Sequence, residues 1–196
     1  MKKFWTIIFL LPFLAGCNNE DTVLTERDKI EKYLTSTRHM VAEEEIGNVL
    51  EEEPSFYSLF GRYAYRHIVN FYDKGREDRA IVERGDKIDI SFKAFTFTGS
   101  EPSISQNLYW SNIPSVIEQV GKKSDNTLIW SSEPQTIIVG STDILEGLER
   151  TLPGCREADS VQVYMTSSLA YGKELIGVIP KNSMIAWYLK IEKVTK

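Results

Sequence analysis

Histidine and cysteine, which supply many metal ligands and catalytic groups, are scarce here: the 196 residues contain two of each. His39 and His67 lie near no cysteine or acid cluster at ligand spacing, so no metal site is predicted. The serine pairs at 131–132 and 167–168 lack a histidine positioned to activate them, so a hydrolase triad is not predicted. The chain also has no internal repeat and no low-complexity segment.

The apolar run that follows Met1-Lys2-Lys3 is too short to span a bilayer comfortably. A basic start, a short apolar core and small residues before a break are typical of a secretory signal peptide, here residues 1–16. Leu14-Ala15-Gly16-Cys17 resembles the bacterial lipobox, which implies that Cys17 is acylated and anchors the mature chain in a membrane. With Cys17 acylated, Cys155 has no partner, so no intramolecular disulfide is predicted. The alternative is an ordinary signal peptide with an accidental cysteine.

Basic residues are outnumbered, with 23 Lys and Arg against 28 Asp and Glu, for a formal net charge of −5. Loss of residues 1–16 removes two lysines and makes this charge −7. An acidic domain repels phosphate backbones, so nucleic-acid binding is not expected. Asn18 after the cysteine is similar to lipoproteins sorted to the outer membrane, and the acidic Glu20 and Asp21 resemble surface-export signals. We therefore expect a lipid-anchored protein of the bacterial cell envelope, at the periplasmic or surface face of the outer membrane.

Residues 17–55 are predicted to be a lipid-anchored tether followed by a helical segment. The polar tether is expected to end at a helix that begins with the capping signal at Thr25. The apolar face of that helix is formed by Ile30, Tyr33 and Leu34. A second, weaker helix is predicted over residues 42–50. Its acidic runs indicate a solvated face, because consecutive glutamates on a helix point apart rather than around a Ca²⁺ ion.

Residues 56–196 form the main domain, where apolar side chains alternate with polar ones as in β-strands. Strands are predicted at residues 62–71, 88–94, 135–139, 160–165 and 184–194, and short helices over 114–120, capped by Asn112, and over 145–152. Antiparallel strands with a short helix across one buried face describe an α+β domain. The inward-facing set is predicted to be Ile88, Ile90, Phe92, Val161, Val163, Ile185, Trp187, Leu189 and Ile191.

The most specific pattern lies in the last third of the chain. In order come Ile144-Leu145-Glu146-Gly147-Leu148, Ala170-Tyr171-Gly172, Val178-Ile179-Pro180 and Trp187. Each piece alone is common, but the ordered set resembles the FKBP-type peptidyl-prolyl cis/trans isomerases. The resemblance covers about residues 61–194 and implies an FKBP-like half-barrel sheet wrapped around a short helix, with an apolar pocket between them. It also implies an insertion at about residues 96–127, where the family has a short loop.

The same resemblance implies a set of site residues. At the strand-to-helix turn formed with Ile144, the backbone N–H of Leu145 holds one substrate carbonyl, and the Tyr171 hydroxyl holds another. Phe92 and Trp187 are implied as aromatic walls and complete the predicted catalytic set. The predicted substrate-binding positions are Ile129, Trp130, Leu148, Ala170 and Ile179.

The chemistry that this resemblance implies needs no cofactor and no metal. Twisting an X–Pro bond destroys amide resonance and meets a barrier of roughly 18–20 kcal/mol. The planar amide carries more separated charge than the twisted one, so a dry apolar pocket favours the twisted form when the flanking carbonyls stay hydrogen-bonded. The expected partners are therefore proline-containing polypeptides.

Several residues depart from the family pattern and leave the function open. Trp130 stands where the family has an acidic pocket residue, Phe92 lacks the hydroxyl of a family tyrosine, and Gln135 falls near an aromatic position. One hypothesis is a lipid-anchored isomerase that assists the folding of cell-envelope proteins. The other is a catalytically weak FKBP-like lipoprotein that binds a peptide or ligand in the same cleft. A structural lipoprotein whose pocket is filled by its own insertion is a third.

For Cys155, beside Arg156, a buried inert thiol is favoured over a reactive one.

Overall fold

The computed structural model of the chain describes residues 19–37, 39–120, 132–141 and 144–196. The helices are α1 (Asn19–Thr37), α2 (Pro114–Val120) and α3 (Glu146–Thr151), with 3₁₀ turns at Glu43–Asn48, Arg76–Asp78 and Ser167–Leu169. The strands are β1 (Val41–Ala42), β2 (Phe56–Phe60), β3 (Ala64–Ile68), β4 (Lys87–Phe97), β5 (Leu108–Ser111), β6 (Gln135–Ile138), β7 (Ser160–Met165) and β8 (Met184–Thr195). The α+β class predicted from the sequence is confirmed. No helix in these ranges combines the length and the apolar character needed to cross a membrane.

The centre of the sheet is a pair of long strands, β4 and β8. They pair antiparallel along their whole length, from Lys87 opposite Thr195 to Phe97 opposite Met184. The strand order is β1-β2-β3-β7-β8-β4-β5, and β6 pairs with the first part of β4 while β5 pairs with its later part. Strands that lie almost ninety residues apart in the sequence therefore pair directly, and the site residues of β4 and β8 lie side by side.

One face of the sheet, which we call the front face, packs against α3. Every residue that the alternation predicted to point inward is buried in this front cluster: Ile88, Ile90, Phe92, Val161, Val163, Ile185, Trp187, Leu189 and Ile191. α3 adds Leu148 and Leu152 to the same cluster. The helix lies very close to β7 at Gly147, where a Cβ atom would stand 2.5 Å from the Met165 sulfur. The front face is therefore built as the sequence predicted.

The opposite, or back, face differs from the prediction of one buried face. Here α1 packs its apolar side over the other set of alternating residues on β3, β4, β7 and β8. This back cluster includes Ile30, Tyr33, Leu34, Tyr65, Phe95, Phe97, Tyr164, Met184 and Ala186. The single-face prediction was wrong because the covering helix comes from the far end of the sequence. α1 also begins at Asn19 rather than at Thr25, whose hydroxyl instead donates to the Asp21 carbonyl within the helix.

The predicted insertion contributes more to the sheet than a loop, because it contains β5. The side chain of Asn112 does not cap α2 as predicted; it joins the insertion to β4. Its Oδ1 accepts the Phe92 N–H at 2.7 Å, and its Nδ2 donates to the Ile90 carbonyl at 2.8 Å. The predicted strand over residues 62–71 is also shorter, because Arg62 adopts a positive φ of 58° in the tight turn between β2 and β3.

Candidate functional site

A cleft of about 290 Å³ lies on the front face, between the sheet and the N-terminal end of α3. It is lined by residues from three strands, two turns and the helix: Trp110, Gln135, Ile137, Ile144, Leu145, Leu148, Tyr171 and Trp187. Five of these, namely Ile144, Leu145, Leu148, Tyr171 and Trp187, belong to the predicted site. Sequence positions more than forty residues apart thus converge on one apolar cavity.

The sheet side of the cleft is formed by Trp110 and Trp187, which pack with Phe92 in a cluster of three aromatic rings. Trp187 on β8 is 3% exposed and stacks on Phe92 of β4, with ring centroids 4.4 Å apart and planes 21° apart. Trp110 of β5 meets both rings edge to face, at 4.8 Å from Phe92 and 5.8 Å from Trp187. Phe92 itself does not line the cleft but supports Trp187 from behind. Such stacked and edge-to-face contacts hold the wall rigid.

The Trp110 wall was missed by sequence reasoning, which placed the Tyr109-Trp110 pair in an expanded loop. β5 has only four residues, and its pairing with β4 is irregular between Ala94 and Phe95. Alternation over so short a segment is a weak signal. The aromatic pair was the clue that was present in the sequence.

Tyr171 reaches the cleft from the turn that follows Ser167–Leu169. Its hydroxyl oxygen lies 3.4 Å from that of Tyr109, which in turn accepts a hydrogen bond of 3.0 Å from the Trp187 indole N–H. An indole N–H only donates, so Tyr109 has its own proton available for the Tyr171 oxygen. Burial raises the pKa of Tyr171, and the hydrogen bond from Tyr109 opposes that rise. Tyr171 therefore remains a neutral hydroxyl, able to donate to a carbonyl, throughout the physiological pH range.

The second predicted donor, the backbone N–H of Leu145, lies where the chain enters α3. Leu145 has the extended backbone (φ −59°, ψ 135°) of a helix N-cap, and its own carbonyl accepts from the N–H groups of Leu148 and Glu149. The first N–H groups of a helix have no partner within the helix. Among the described residues no hydrogen bond from the Leu145 N–H is formed. A carbonyl oxygen in the cleft can therefore take this position.

Gln135 of β6 places a polar side chain in the otherwise apolar wall, and sequence reasoning gave it no role. Its Oε1 atom is buried and has no hydrogen-bond partner within the described parts of the chain. A buried acceptor without a partner costs about 1–3 kcal/mol, so it favours an incoming donor. An N–H group of a bound peptide is the natural donor for such an oxygen.

The remaining predicted site residues do not line the cleft, or lie outside what the structure describes. Ile179 is fully buried and Ala170 partly buried, and both pack against the front cluster beside the cleft. Ile129, Trp130 and the predicted lipidation site Cys17 lie outside the described residues.

Apart from the cleft, the back-face groove and Cys155 are two other functional candidates in the described parts of the chain. An open groove of about 450 Å³ lies on the back face, where Lys93, Gln162 and Lys190 line it, and none of the predicted catalytic residues reaches it. Cys155 is fully buried, and burial raises the pKa of its thiol to about 11, so the prediction of an inert thiol is confirmed. Within the described ranges no three His, Cys, Asp or Glu side chains are grouped to hold a metal ion.

Comparison with known proteins agrees with this geometry. Residues 115–192 match the family model described as FKBP-type peptidyl-prolyl cis-trans isomerase. The match includes the cleft residues from Gln135 to Trp187 but not Phe92, Trp110 or α1. No curated protein matches the chain. The resemblance to the FKBP-type peptidyl-prolyl cis-trans isomerases found in the sequence is thereby confirmed over residues 115–192.

Proposed function

We propose that this protein is a lipid-anchored peptidyl-prolyl cis/trans isomerase that assists the folding of cell-envelope proteins. The observation that carries the isomerase proposal is the apolar cleft with two hydrogen-bond donors at its rim. Tyr171 and Leu145, which supply the donors, line the cleft together with the aromatic wall formed by Trp187. These donors would hold the carbonyls that flank a prolyl ring packed against Trp187.

The cleft acts on the amide through its surroundings, without covalent chemistry. Its aromatic and aliphatic walls exclude water from the X–Pro bond, so the planar amide loses part of the solvation that stabilises its separated charge. Rotation removes that charge separation. The twisted amide therefore loses less solvation free energy than the planar amide when it enters the cleft. Hydrogen bonds to the neighbouring carbonyls keep the rest of the peptide bound while the bond turns.

Gln135 adds a hydrogen-bond acceptor to a cleft whose other two polar groups are donors. Its buried Oε1 is placed to accept a backbone or side-chain N–H of the bound chain, which aligns the peptide across the wall formed by Trp110. A hydrogen-bonding group in an apolar site discriminates strongly against ligands that leave it unpaired. We therefore expect Gln135 to affect which residues beside the proline are accepted.

The proposal of a lipid anchor depends on the lipobox-like Leu14-Ala15-Gly16-Cys17. In the sequence only Asn18 separates Cys17 from the first residue of α1. An acylated Cys17 would therefore hold the domain close to the membrane surface through a short connection. Two or more acyl chains give stable anchoring where one does not.

A second candidate function is a binding module that holds proline-containing peptides without turning over the prolyl bond. Gln135 favours it, because a polar group in the wall adds affinity and orientation rather than the dryness that lowers the barrier. Both candidates use the same cleft and the same class of partner. They differ in whether the cleft binds the twisted prolyl amide more strongly than the planar one, as an isomerase must.

The isomerisation of short Xaa-Pro peptides by the purified full-length chain tests the first candidate against the second. The isomerase proposal predicts acceleration that Trp187→Ala abolishes. Binding of the same peptides with an uncatalysed isomerisation rate would establish the binding module instead. Metabolic labelling with a fatty-acid analogue tests the anchor, with Cys17→Ser as the control: label that persists in this variant contradicts acylation at Cys17.

A further inference from the structure

The turn that carries Tyr171 is organised around one residue, Ser167. The Ser167 carbonyl accepts two backbone N–H groups, those of Ala170 at 3.1 Å and Gly172 at 2.8 Å, on either side of Tyr171. The far end of the turn is fixed as well, because the N–H of Asn182 donates to the Gly172 carbonyl at 2.7 Å. The position of Tyr171 therefore follows the position of Ser167.

Ser167 in turn is held by a carboxylate from the opposite end of the chain. Glu26, on α1, accepts the Ser167 N–H at 2.8 Å with Oε2 and the Ser167 hydroxyl at 2.8 Å with Oε1. Both side chains are 5% exposed. Hydrogen bonds to a charged group are about twice as strong as neutral ones, and a buried carboxylate without them is very costly. The pair therefore forms a stiff link between α1 and the turn.

α1 is itself docked independently of this link. Ile30 and Leu34 are fully buried in the back cluster, and Glu31 forms a two-point contact with the Arg62 guanidinium, at 2.7 and 2.6 Å. The helix precedes residues 115–192, so it lies outside the segment that matches the family. A helix outside the matched segment thus contacts the turn that carries Tyr171.

We propose that Glu26 is a positioning residue of the cleft: through Ser167 it fixes the turn that presents the Tyr171 hydroxyl to the substrate. The N-terminal helix thereby completes the site from the back of the sheet. The effect on turnover depends on the proposed isomerase function, whereas the effect on the turn does not. The Glu26–Ser167 contact and the geometry of Tyr171 are coupled, so one residue of this helix supports catalysis without touching substrate.

The test combines Glu26→Gln with Tyr171→Phe in a double-mutant cycle on the full-length chain. Glutamine keeps the size of the side chain but loses its charge and one of its two acceptor atoms. If Glu26 acts through the Tyr171 hydroxyl, Glu26→Gln lowers kcat/KM in the wild-type chain by no more than Tyr171→Phe does, about two- to tenfold. It has no further effect once Tyr171 is phenylalanine. If Glu26→Gln instead lowers kcat/KM by the same factor in the wild-type chain and in the Tyr171→Phe chain, the two residues act independently and the proposal is overturned.

Glu31→Gln is the matched control, because Glu31 lies on the same helix but contacts Arg62 and Tyr65 rather than the turn. It removes the same charge and leaves the Ser167 contacts in place. The proposal predicts kcat/KM within about twofold of wild type for this variant. An equal loss of kcat/KM in Glu26→Gln and Glu31→Gln would show that only the general docking of α1 matters, and would overturn the specific role of Glu26.

Amide hydrogen exchange gives a readout that does not need activity. The N–H groups of Ala170 and Gly172 donate to Ser167, so Glu26→Gln is expected to speed their exchange about tenfold while Glu31→Gln leaves it unchanged. Ser167→Ala, which keeps the backbone N–H contact, is expected to fall between wild type and Glu26→Gln. A wild-type chain that isomerises nothing would refute the proposed function, and the exchange data would still decide the coupling. Unchanged exchange in Glu26→Gln would overturn the inference.

Discussion

The two faces of the same sheet are packed by helices of very different length. α1 has 19 residues, about 28 Å of helix, and covers the back face with Ile30, Tyr33 and Leu34. α3 has 6 residues, about 9 Å, and covers only part of the front face. The strands β4 and β8 contribute alternate residues to both. The front cleft therefore lies where the short α3 leaves part of the front face uncovered. The back face has an uncovered part as well, the open groove lined by Lys93, Gln162 and Lys190.

The faces also differ in how their polar groups are used. On the back face, the Tyr65 hydroxyl donates to Glu31 at 2.8 Å, and the hydroxyls of Tyr164 and Tyr188 bond to each other at 2.8 Å. On the front face, Gln135 keeps a buried oxygen without a partner in the described chain, and Tyr171 has only a long contact of 3.4 Å to Tyr109. Gln162 on the back face also keeps a buried Oε1 without a partner in the described parts of the chain. The front face differs in that its spare bonding capacity lies within one aromatic cleft, where Gln135 and Tyr171 both line the cavity.

The largest expected effect comes from removing the shared wall of the cleft. Trp187→Ala deletes a buried aromatic side chain that stacks on Phe92, so it should lower the free energy of unfolding by about 3–5 kcal/mol. It should also abolish turnover by the molecules that remain folded. Urea denaturation and peptide isomerisation, measured at a temperature where the variant is folded, check both parts.

The back-face counterpart of this variant is Leu34→Ala, at a fully buried position of α1. It should cost a similar amount of stability, about 2–5 kcal/mol, yet leave kcat/KM per folded molecule within about twofold of wild type. Equal losses of turnover in both variants would contradict the division of roles between the two faces.

A smaller effect is expected where α3 lies closest to the sheet. A methyl group added by Gly147→Ala would meet the Met165 sulfur at 2.5 Å and its Cβ at 3.0 Å. The resulting overpacking should lower the free energy of unfolding by about 1–3 kcal/mol, despite the better helix propensity of alanine. Thermal denaturation measures the change. Gly47→Ala, which has no atom within 4 Å of its added Cβ, is the control and should be nearly neutral.

The Tyr171 hydroxyl should matter less than the wall. Tyr171→Phe removes one hydrogen bond worth about 0.5–1.5 kcal/mol, so kcat/KM should fall by about two- to tenfold with little change in stability. Tyr188→Phe makes the same chemical change on the back face and should leave kcat/KM unaltered. Peptide isomerisation rates of the two variants check this prediction; indistinguishable rates would remove Tyr171 from the mechanism.

The smallest effect concerns the ion pair that helps dock α1. The hydrogen bond from Arg62 holds the pKa of the Glu31 carboxyl below its ordinary value of 4.5. A carboxyl with a lowered folded-state pKa stabilises the fold above its unfolded pKa, and this contribution is lost as the pH falls through the folded value. Since a partly exposed pair contributes only about 0–1 kcal/mol, the effect is modest. The stability difference between wild type and Glu31→Gln should therefore shrink as the pH is lowered from 7 to 3; a constant difference would contradict it.

The front face was predictable because its signals are local. Every residue that the alternation in β4, β7 and β8 predicted to point inward is buried there, and the order of Leu145, Tyr171 and Trp187 indicated one cleft. These patterns lie within single strands or short motifs, and the burial of one strand face determines the register.

The back face and the supports of the site were not predictable in the same way. The Glu26–Ser167 contact joins residues 141 positions apart, and no local pattern marks such a pair. Trp110 was missed because β5 is too short to alternate clearly. The apolar stripe of α1 was visible in the sequence, but nothing in it told which surface it would cover.

The central claim is that the front cleft both binds the prolyl bond and accelerates its rotation. NMR exchange spectroscopy of a labelled Xaa-Pro peptide, with a titration of the labelled full-length chain, measures both at once. The account predicts cis–trans exchange peaks together with shifts of the Leu145 amide and the Trp187 indole N–H, and no shift at Lys93 or Tyr188 on the back face. Shifts confined to the back groove, or binding in the cleft without exchange peaks, would contradict it.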